Sequence, residues 1–143
     1  MLAALDQTLR TVPFLSTLGV RVEEARTGHI VLRLPLGDAT KTHHGSLHTA
    51  AVFAVGELAA AVVLGTHPLL AGYSHLQKST KIKSFLPASK DVTAHATLTP
   101  ELVEALEGQL ADGFATLELP VQVLDGHGND VAHLSCHFAF KGR

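Results

Sequence analysis

The sequence predicts one α+β domain, in which an antiparallel sheet of about six strands is wrapped around one long helix. The segment from Leu47 to about Gly65 is apolar on all sides and rich in alanine, which is typical of a helix enclosed on most of its surface. Much of the remaining chain alternates apolar and polar residues with a period of two, which is typical of antiparallel strands with one buried face. Such a helix and such a sheet can bury each other's apolar surfaces.

The length, composition and charge are those of a single domain spanning residues 1–143. Hydrophobic residues make up 46% of the chain and charged residues 17%, which excludes a disordered protein. The formal net charge of −2 excludes a general attraction to nucleic acid or to anionic membranes. The single cysteine, Cys136, excludes a disulfide scaffold and fits a reducing compartment. No targeting signal opens the chain, so we expect a cytoplasmic protein.

The first half of the chain is predicted to contain a short helix, a hairpin and the long helix. The short helix covers about Leu2 to Arg10 and ends near Pro13. Alternating apolar residues on either side of Thr27-Gly28 predict the hairpin. A polar loop from Asp38 to Gly45 then leads into the long helix, which the glycine at position 65 helps to end.

The second half is predicted to consist mostly of strands. Period-two patterns predict strands over Tyr73–Phe85 and over residues 92–98, 116–123 and 133–140. A short helix is expected over Pro100–Ala111, and the turn-forming segment Asp125–Asp130 joins the last two strands as a hairpin. Because proline cannot donate a ladder hydrogen bond, Pro120 places part of its strand at an edge or a bulge.

Glu57 is the most informative residue, because it is the one carboxylate within the long apolar helix. A buried, unpaired carboxylate is unfavourable or titrates to its neutral form, and such a cost is often retained where the acid is catalytic. The alternative is a structural glutamate that is hydrogen-bonded to a neighbouring strand or loop. Since His48 and Glu57 interrupt the apolar run and no basic or aromatic anchors flank it, no membrane span is expected.

The residues that lead into the helix, from Thr42 to Thr49, form a second candidate site. Unpaired backbone N–H groups at a helix start can polarise a carbonyl oxygen, and Gly45 lets the chain approach a ligand closely. Glu57 lies nine residues after His48, about two and a half turns along the helix, so one helix cannot bring the two together. If both serve one reaction, two subunits must share the site.

The segment from Gly45 to Glu57, GSLHTAAVFAVGE, resembles the helix-start motif of hotdog-fold acyl-CoA thioesterases. The resemblance is greatest to the phenylacetate-pathway type and to related thioesterase-like domains. Their motif reads approximately Asn-x-x-Gly-x-x-His-Gly-Gly, with an Asp or Glu nine residues after the His, so that Gly45, His48 and Glu57 fall in register. The resemblance covers nearly the whole chain, including Leu18–Val20 and Ser84–Ala88.

The resemblance implies a hotdog fold in which homodimers, or dimers of dimers, share active sites for acyl-CoA hydrolysis. In that family the acid acts as general base or nucleophile on the thioester carbonyl, which implies this role for Glu57. A backbone N–H just after the motif histidine polarises the carbonyl, and Thr49 matches that position here. His48 is then expected to orient the helix start or the carbonyl.

The sequence departs from the family pattern in three places. The motif Asn is Thr42 here, and the Gly-Gly pair is Thr49-Ala50. Where relatives often carry a water-positioning Ser or Thr on the central strand, this chain has Gln77, with Ser79 expected on the same face. The residues that we assign to substrate binding are Thr42, His43, Gly45, Gln77, Ser79 and Lys81.

Charged and titratable clusters leave two further interpretations to weigh. Lys78, Lys81 and Lys83 crowd one predicted strand, where they either meet the phosphates of coenzyme A or guard a solvated sheet edge. His44 and His48 are four residues apart, but no HExxH motif or cysteine cluster accompanies them. No metal and no other cofactor is therefore predicted.

Three functions are compatible with these residues. Thioester hydrolysis of an acyl-CoA is favoured by the helix-start motif and by Glu57. A non-catalytic acyl-CoA-binding protein is the main alternative, since Thr42 replaces the family Asn. A hotdog dehydratase or hydratase is less favoured: the fourteen-residue spacing from His43 to Glu57 fits that class, but the residues that usually surround its histidine are absent. Phe85 and Leu86 fit either a medium-length aliphatic or an aromatic acyl group.

Overall fold

The structure is a computed structural model and describes residues 1–142. Its helices are α1 (Leu2–Arg10), α2 (Pro13–Leu18), α3 (Thr49–Gly65) and α4 (Pro100–Leu110), with a 3₁₀ turn over Pro68–Gly72. Its strands are β1 (Arg21–Arg26), β2 (His29–Leu34), β3 (Tyr73–Ser84), β4 (Val92–Thr97), β5 (Phe114–Leu124) and β6 (Asp130–Gly142). No helix within residues 1–142 has both the length and the apolar character needed to cross a membrane.

The six strands form one antiparallel sheet in the order β1-β2-β4-β5-β6-β3. One face of this sheet curves over α3, which contacts β2, β3, β4, β5 and β6, so the predicted α+β architecture is confirmed. Gly56 packs closely against the sheet, because an added Cβ would lie 2.6 Å from Cδ1 of Leu134. A larger side chain at this position would displace the side chain of Leu134.

The sheet covers only one side of α3 within a single chain. The residues that face the sheet are buried, among them Ala51, Val55, Ala59 and Val63. The opposite side, which we name the open face of α3, is only half-buried. Its residues follow helical spacing: Phe53, Ala54, Glu57, Leu58 and Ala61. The predicted burial of the long helix is therefore confirmed only for the side that faces the sheet.

The corner between α1 and β1 is held by a buried carboxylate. Asp6, 5% exposed, accepts hydrogen bonds from the backbone N–H of Val22 (2.8 Å) and from Nε of Arg21 (3.0 Å). The guanidinium of Arg10, one helical turn on, lies 3.2 Å from the same carboxylate. Every acceptor oxygen of Asp6 thus has a partner, and the N-terminal helix is fixed to the edge strand.

Pro120 lies at a local edge of the sheet, as expected for a residue without a backbone N–H. β5 pairs with β6 along its whole length, but β4 pairs only with Val121–Leu124. The segment from Phe114 to Pro120 is therefore a local sheet edge on the β4 side, where a missing N–H disrupts no ladder. The prediction of an edge position for part of this strand is confirmed, although β5 as a whole lies inside the sheet.

A β-bulge near Lys78 changes which residues of β3 face the helix. Before the bulge Gln77 pairs with Phe138 of β6, and after it Thr80 pairs with Cys136. Both partners are buried residues of the inner face, so the two β3 residues share that face despite being three apart. Ser79 pairs instead with the exposed His137. The expectation that Ser79 shares a face with Gln77 is therefore wrong, because the extra residue inverts the alternation.

Candidate active site

The start of α3 is fixed by hydrogen bonds to two other segments. The N–H of Leu47 donates to the carbonyl of Ala88 (2.8 Å), and the N–H of His48 donates to the carbonyl of Thr40 (2.8 Å). Thr40 is almost fully buried, and its hydroxyl donates to the carbonyl of Pro35 (2.7 Å). These contacts hold the start of α3 against the loop that follows β2 and the loop that follows β3.

The first turn of α3 presents two free backbone donors. His48 caps the helix in an extended conformation, and its carbonyl accepts from the N–H groups of Ala51 and Val52. The N–H groups of Thr49 and Ala50 have no acceptor within residues 1–142. Both residues are exposed, so these donors, at the positive end of the helix dipole, are available to a carbonyl oxygen or an anion.

A cavity of about 500 Å³ lies in front of these donors. Its walls combine apolar side chains with polar groups at the helix start, an arrangement found in small-molecule sites. Phe85 and Leu86, both partly exposed, come directly after β3 and form one wall of the cavity. The lining residues are Thr42, Ser46, Leu47, His48, Thr49, Ala50, Val52, Ser84, Phe85, Leu86, Pro87, Ala88 and Val131.

The loop before the helix is organised by Thr42. Its hydroxyl lies 3.1 Å from that of Ser46 and accepts from the N–H of His44 (3.2 Å). Gly45 has a φ of +83°, so its glycine is required by the backbone turn. The rings of His43 and His44 stack 3.9 Å apart. Of the predicted residues in this loop, Thr42 lines the cavity, whereas His43 and Gly45 do not.

Glu57 lies on the open face of α3, away from the cavity at the helix start. Its position two turns after Ala50 places it on the same side of the helix as that residue, about 10 Å further along the axis. No group within residues 1–142 donates a hydrogen bond to its carboxylate or forms an ion pair with it. The half-buried carboxylate is therefore free to bind a water or a substrate.

A small polar cluster occupies the inner face of the sheet near Glu57. The side-chain amide of Gln77 donates to the hydroxyl of Thr80, and Thr80 lies opposite Cys136 on β6. Burial raises the pKa of the Cys136 thiol to about 11, hydrogen bonding to Thr80 opposes that rise, and the carboxylate of Glu57 adds to it. Cys136 is thus a neutral thiol, which is hydrogen-bonded to Thr80 and is close enough to Glu57 to be affected by its charge.

The sequence did not indicate Thr80 as a site residue. Period-two alternation places it on the face opposite to Gln77, and only the bulge near Lys78 returns it to the inner face. Lys81 lies on the outer face, opposite Ser135, and does not reach the cavity. Within residues 1–142, no group of three or more His, Cys, Asp or Glu side chains has a geometry that would hold a metal ion.

Comparison with solved structures identifies the architecture. The fold is similar to a protein from Pseudomonas aeruginosa described as a probable thioesterase (TM-score 0.91, 24% identity, covering 99% of this chain and 95% of that one). It is also similar to a thioesterase from Haemophilus influenzae (TM-score 0.76, 16% identity, 99% and 91% covered). A third similar structure is zebrafish thioesterase superfamily member 2 (TM-score 0.75, 16% identity, 99% of both chains). The chain therefore has the hotdog fold.

The family of the chain is established by a sequence model. Residues 4–139 match the model of DUF4442, described as a domain of unknown function. Since the match spans nearly the whole chain, the protein belongs to the DUF4442 family. No curated protein matches the sequence significantly.

Proposed function

We propose that this protein hydrolyses an acyl-CoA thioester to a free acid and coenzyme A. The observation that carries the proposal is the half-buried carboxylate of Glu57, which has no partner within residues 1–142 and lies about two turns after the two free N–H donors of the helix start. A base and an oxyanion-stabilising pair of donors are the two groups that thioester hydrolysis needs. Three similar hotdog structures that carry the name thioesterase add support.

The reaction is proposed to take place between two subunits. Thr49 and Glu57 are separated by eight residues, or about 12 Å along one helix, which is too far for both to touch one carbonyl. If two α3 helices pack antiparallel through their open faces, Thr49 of one chain lies beside Glu57 of the other, and the two-fold axis passes near Phe53. Such a dimer also covers the apolar open face, which a single chain leaves half-exposed.

In this homodimer, Glu57 removes a proton from a water molecule as the water oxygen attacks the thioester carbonyl carbon. The carbonyl oxygen takes up negative charge and accepts hydrogen bonds from the N–H groups of Thr49 and Ala50 of the partner subunit. Collapse of this intermediate breaks the carbon–sulfur bond. The proton held by Glu57 passes to the departing coenzyme A sulfur, so that the products are a carboxylic acid and a thiol.

The remaining site residues are proposed to bind and orient the substrate. His48, at the mouth of the cavity, orients the thioester carbonyl towards the helix start. The wall formed by Phe85 and Leu86 contacts apolar parts of the acyl-CoA. The surface lysines of β3, Lys81 among them, approach the coenzyme A phosphates from outside the cavity.

A second candidate is an acyl-CoA-binding protein without catalytic activity. The observation that favours it concerns the Thr42 hydroxyl. This hydroxyl is hydrogen-bonded to Ser46 and His44 within its own loop, so it is not free to bind the substrate. At the position of Thr42, the helix-start motif of hotdog acyl-CoA thioesterases has an asparagine. The side-chain amide of asparagine is longer than a threonine hydroxyl and could reach a ligand. A binder would retain the cavity and the dimer but release no product.

Release of free thiol distinguishes these functions. Acetyl-, octanoyl- and phenylacetyl-CoA are each incubated with the purified protein, and thiol is measured with a chromogenic disulfide. Hydrolysis produces thiol with at least one substrate, and the rate depends on protein concentration. Binding without thiol release, measured by calorimetry with the same acyl-CoAs, would support the binder instead. A dehydratase or hydratase would instead add water to the double bond of an enoyl-CoA such as crotonyl-CoA, included as a fourth substrate, without releasing thiol.

A further inference from the structure

An aromatic ring connects the cavity at the start of α3 with the outer face of the sheet. Phe85 lines the cavity, and its ring packs edge-to-face against the imidazole of His133, with the ring centroids 4.7 Å apart and the planes at 72°. His133 lies on the exposed outer face of β6, opposite Lys83 of β3. The reaction proposed above does not use this contact, although the contact borders the candidate site.

The backbone of Phe85 is fixed to β6, so the orientation of its ring is set by side-chain contacts. The N–H of Phe85 donates to the carbonyl of Val131 (2.9 Å), a buried residue that also lines the cavity. Phe85 itself is 45% exposed, so burial alone does not hold the ring. The edge-to-face pair with His133 favours one direction of the ring. The ammonium group of Lys83, 5.5 Å from the ring centroid, adds a second, solvent-exposed contact.

The imidazole of His133 is held in turn by a carboxylate at the start of β6. Its Nε2 lies 3.0 Å from Oδ1 of Asp130. The side-chain amide of Gln122, on β5, donates to the same oxygen (2.8 Å). Contacts between side chains of two strands thus fix the imidazole, and the imidazole fixes the ring that lines the cavity.

The wall around Phe85 fits the acyl group of the substrate better than the pantetheine arm of coenzyme A. Leu86, Pro87 and Val131 line the cavity beside it, and their side chains offer no hydrogen-bonding group. The amide groups of the pantetheine arm would lose hydrogen bonds to water against this wall. An aliphatic or aromatic acyl group has none to lose and gains from the burial of apolar surface. A ring that is ordered before binding also lowers the entropic cost of binding.

We propose that His133 is a positioning residue, which fixes the ring of Phe85 as the wall against which the acyl group packs. The protein thereby prefers medium-length aliphatic and aromatic acyl groups to acetyl, whose single methyl carbon stays at the helix start. The inference rests on the part of the proposed function that places acyl-CoA in this cavity, and does not depend on its hydrolysis. His133 acts through Phe85 and touches neither the acyl group nor coenzyme A.

The experiment measures the binding of octanoyl-, phenylacetyl- and acetyl-CoA by calorimetry. All variants carry Glu57→Gln, so that the ligands are not hydrolysed during the titration. Phe85→Ala should weaken the binding of octanoyl- and phenylacetyl-CoA about tenfold and that of acetyl-CoA by less than about twofold. His133→Gln keeps a hydrogen-bonding group for Asp130 and removes the ring. It should weaken the first two ligands roughly three- to tenfold and leave acetyl-CoA unchanged.

Two further variants make the test specific to the aromatic contact. His133→Phe keeps a ring beside Phe85 and should bind octanoyl-CoA within about twofold of the parent. His137→Ala removes a histidine from the same outer face of β6, at a position outside the cavity lining, and should leave all three affinities unchanged. Thermal unfolding of every variant shows whether the folded fraction has changed.

The inference fails if the parent binds acetyl-CoA as tightly as octanoyl-CoA. It also fails if Phe85→Ala weakens all three ligands equally, because the wall then contacts the pantetheine arm. A structural role alone for His133 would lower the unfolding temperature of His133→Gln and leave the ratio of octanoyl-CoA to acetyl-CoA affinity unchanged. The inference is equally wrong if His133→Phe binds octanoyl-CoA no better than His133→Gln does.

The same ligands distinguish a failure of this inference from a failure of the proposed function. A wild type that binds octanoyl-CoA with the expected preference and releases no thiol overturns hydrolysis and supports this inference. A wild type that releases thiol while Phe85→Ala and His133→Gln keep the parent's affinities overturns this inference alone. A protein that binds no acyl-CoA overturns both.

Discussion

Two carboxylates that the fold shields from solvent, Asp6 and Glu57, differ in whether their oxygens have hydrogen-bonding partners. At the corner of α1 and β1, Asp6 is bound by Arg21, Arg10 and the N–H of Val22. In the middle of α3, Glu57 has no such partner within residues 1–142. A carboxylate with all its oxygens occupied can do little except stabilise the fold. Under the proposed function the unoccupied one carries the chemistry, so that stability and function would reside in two separate regions.

The surroundings of Asp6 also act on the protonation of its carboxylate. Hydrogen bonds from Arg21 and from the N–H of Val22 lower the pKa of Asp6 to about 2, against the opposing effect of its burial. Its charged form is therefore the one that the fold stabilises. This corner of the molecule therefore stabilises a permanent anion, whereas the carboxylate of Glu57 has no hydrogen-bonding or ion-pair partner within residues 1–142.

The largest expected effect that tests this contrast is the loss of turnover in Glu57→Gln. The amide keeps the shape and polarity of the side chain but cannot take a proton, so kcat should fall on the order of 100-fold or more. The free energy of unfolding should stay equal or rise, because an unpaired, half-buried charge is removed. Thiol release and thermal unfolding measure the two quantities. Wild-type turnover in this variant would show that the acid is structural.

The converse substitution, Asp6→Asn, should destabilise the fold and spare catalysis. Lowering a pKa from 3.8 to about 2 corresponds to about 2 kcal/mol of stability at neutral pH. Since the folded-state pKa is depressed, this contribution is present above pH 4 and is lost as the pH falls towards 2. The difference in unfolding free energy between wild type and variant should therefore shrink over that interval. Denaturant titrations at pH 7, 4 and 2.5 measure it, and turnover per folded molecule serves as the control.

A smaller loss of turnover is expected for His48→Ala. If His48 orients the carbonyl and takes no proton, its removal leaves the base and the Thr49 and Ala50 donors in place. We expect kcat/KM to fall by roughly tenfold or less, clearly below the effect of Glu57→Gln. Steady-state thiol release with one acyl-CoA compares the two variants directly. A loss equal to that of Glu57→Gln would give His48 a proton-transfer role.

The smallest effect is expected at the exposed lysines of β3. Lys78, Lys81 and Lys83 are exposed, so their attraction to coenzyme A phosphates is screened over about 8 Å at physiological ionic strength. Changing all three to glutamine should raise KM by at most about threefold at low salt, with no difference from the wild type at high salt. KM values measured across a salt series test this. An unchanged KM at low salt would show that these lysines are only solvated.

Sequence periodicity was sufficient for the regular elements of this fold. The bounds of α1 agree with the prediction, and the long helix and the strands lie where the two periods place them. The six-residue helix α2 was missed because it is too short to show a period. It begins at Pro13, which the sequence suggested only as a stop, and ends at Gly19 with a φ of +77°.

The sequence predicted those parts of the candidate site that depend on local residue composition. It did not predict those that depend on the pairing of β3 with β6. Glu57 stands out as the lone charge in an apolar run, and the helix start follows from the polar loop before it. The inner-face position of Thr80 depends on the register between β3 and β6, which no local pattern encodes. The error over Ser79 has the same origin, since the bulge inverts every residue that follows it.

The bulge near Lys78 also governs how positions in related chains correspond to one another. In a relative whose equivalent strand is regular, the residue two after the Gln77 position would point inwards, whereas here the residue three after it does. An ungapped alignment would therefore equate an inward hydroxyl in that relative with the outward Ser79 of this chain. A single gap within the strand restores the spatial match to Thr80. Along this strand, the roles of residues in relatives should be assigned from superposed structures, by the sheet face on which each side chain lies, and not from their spacing in the sequence.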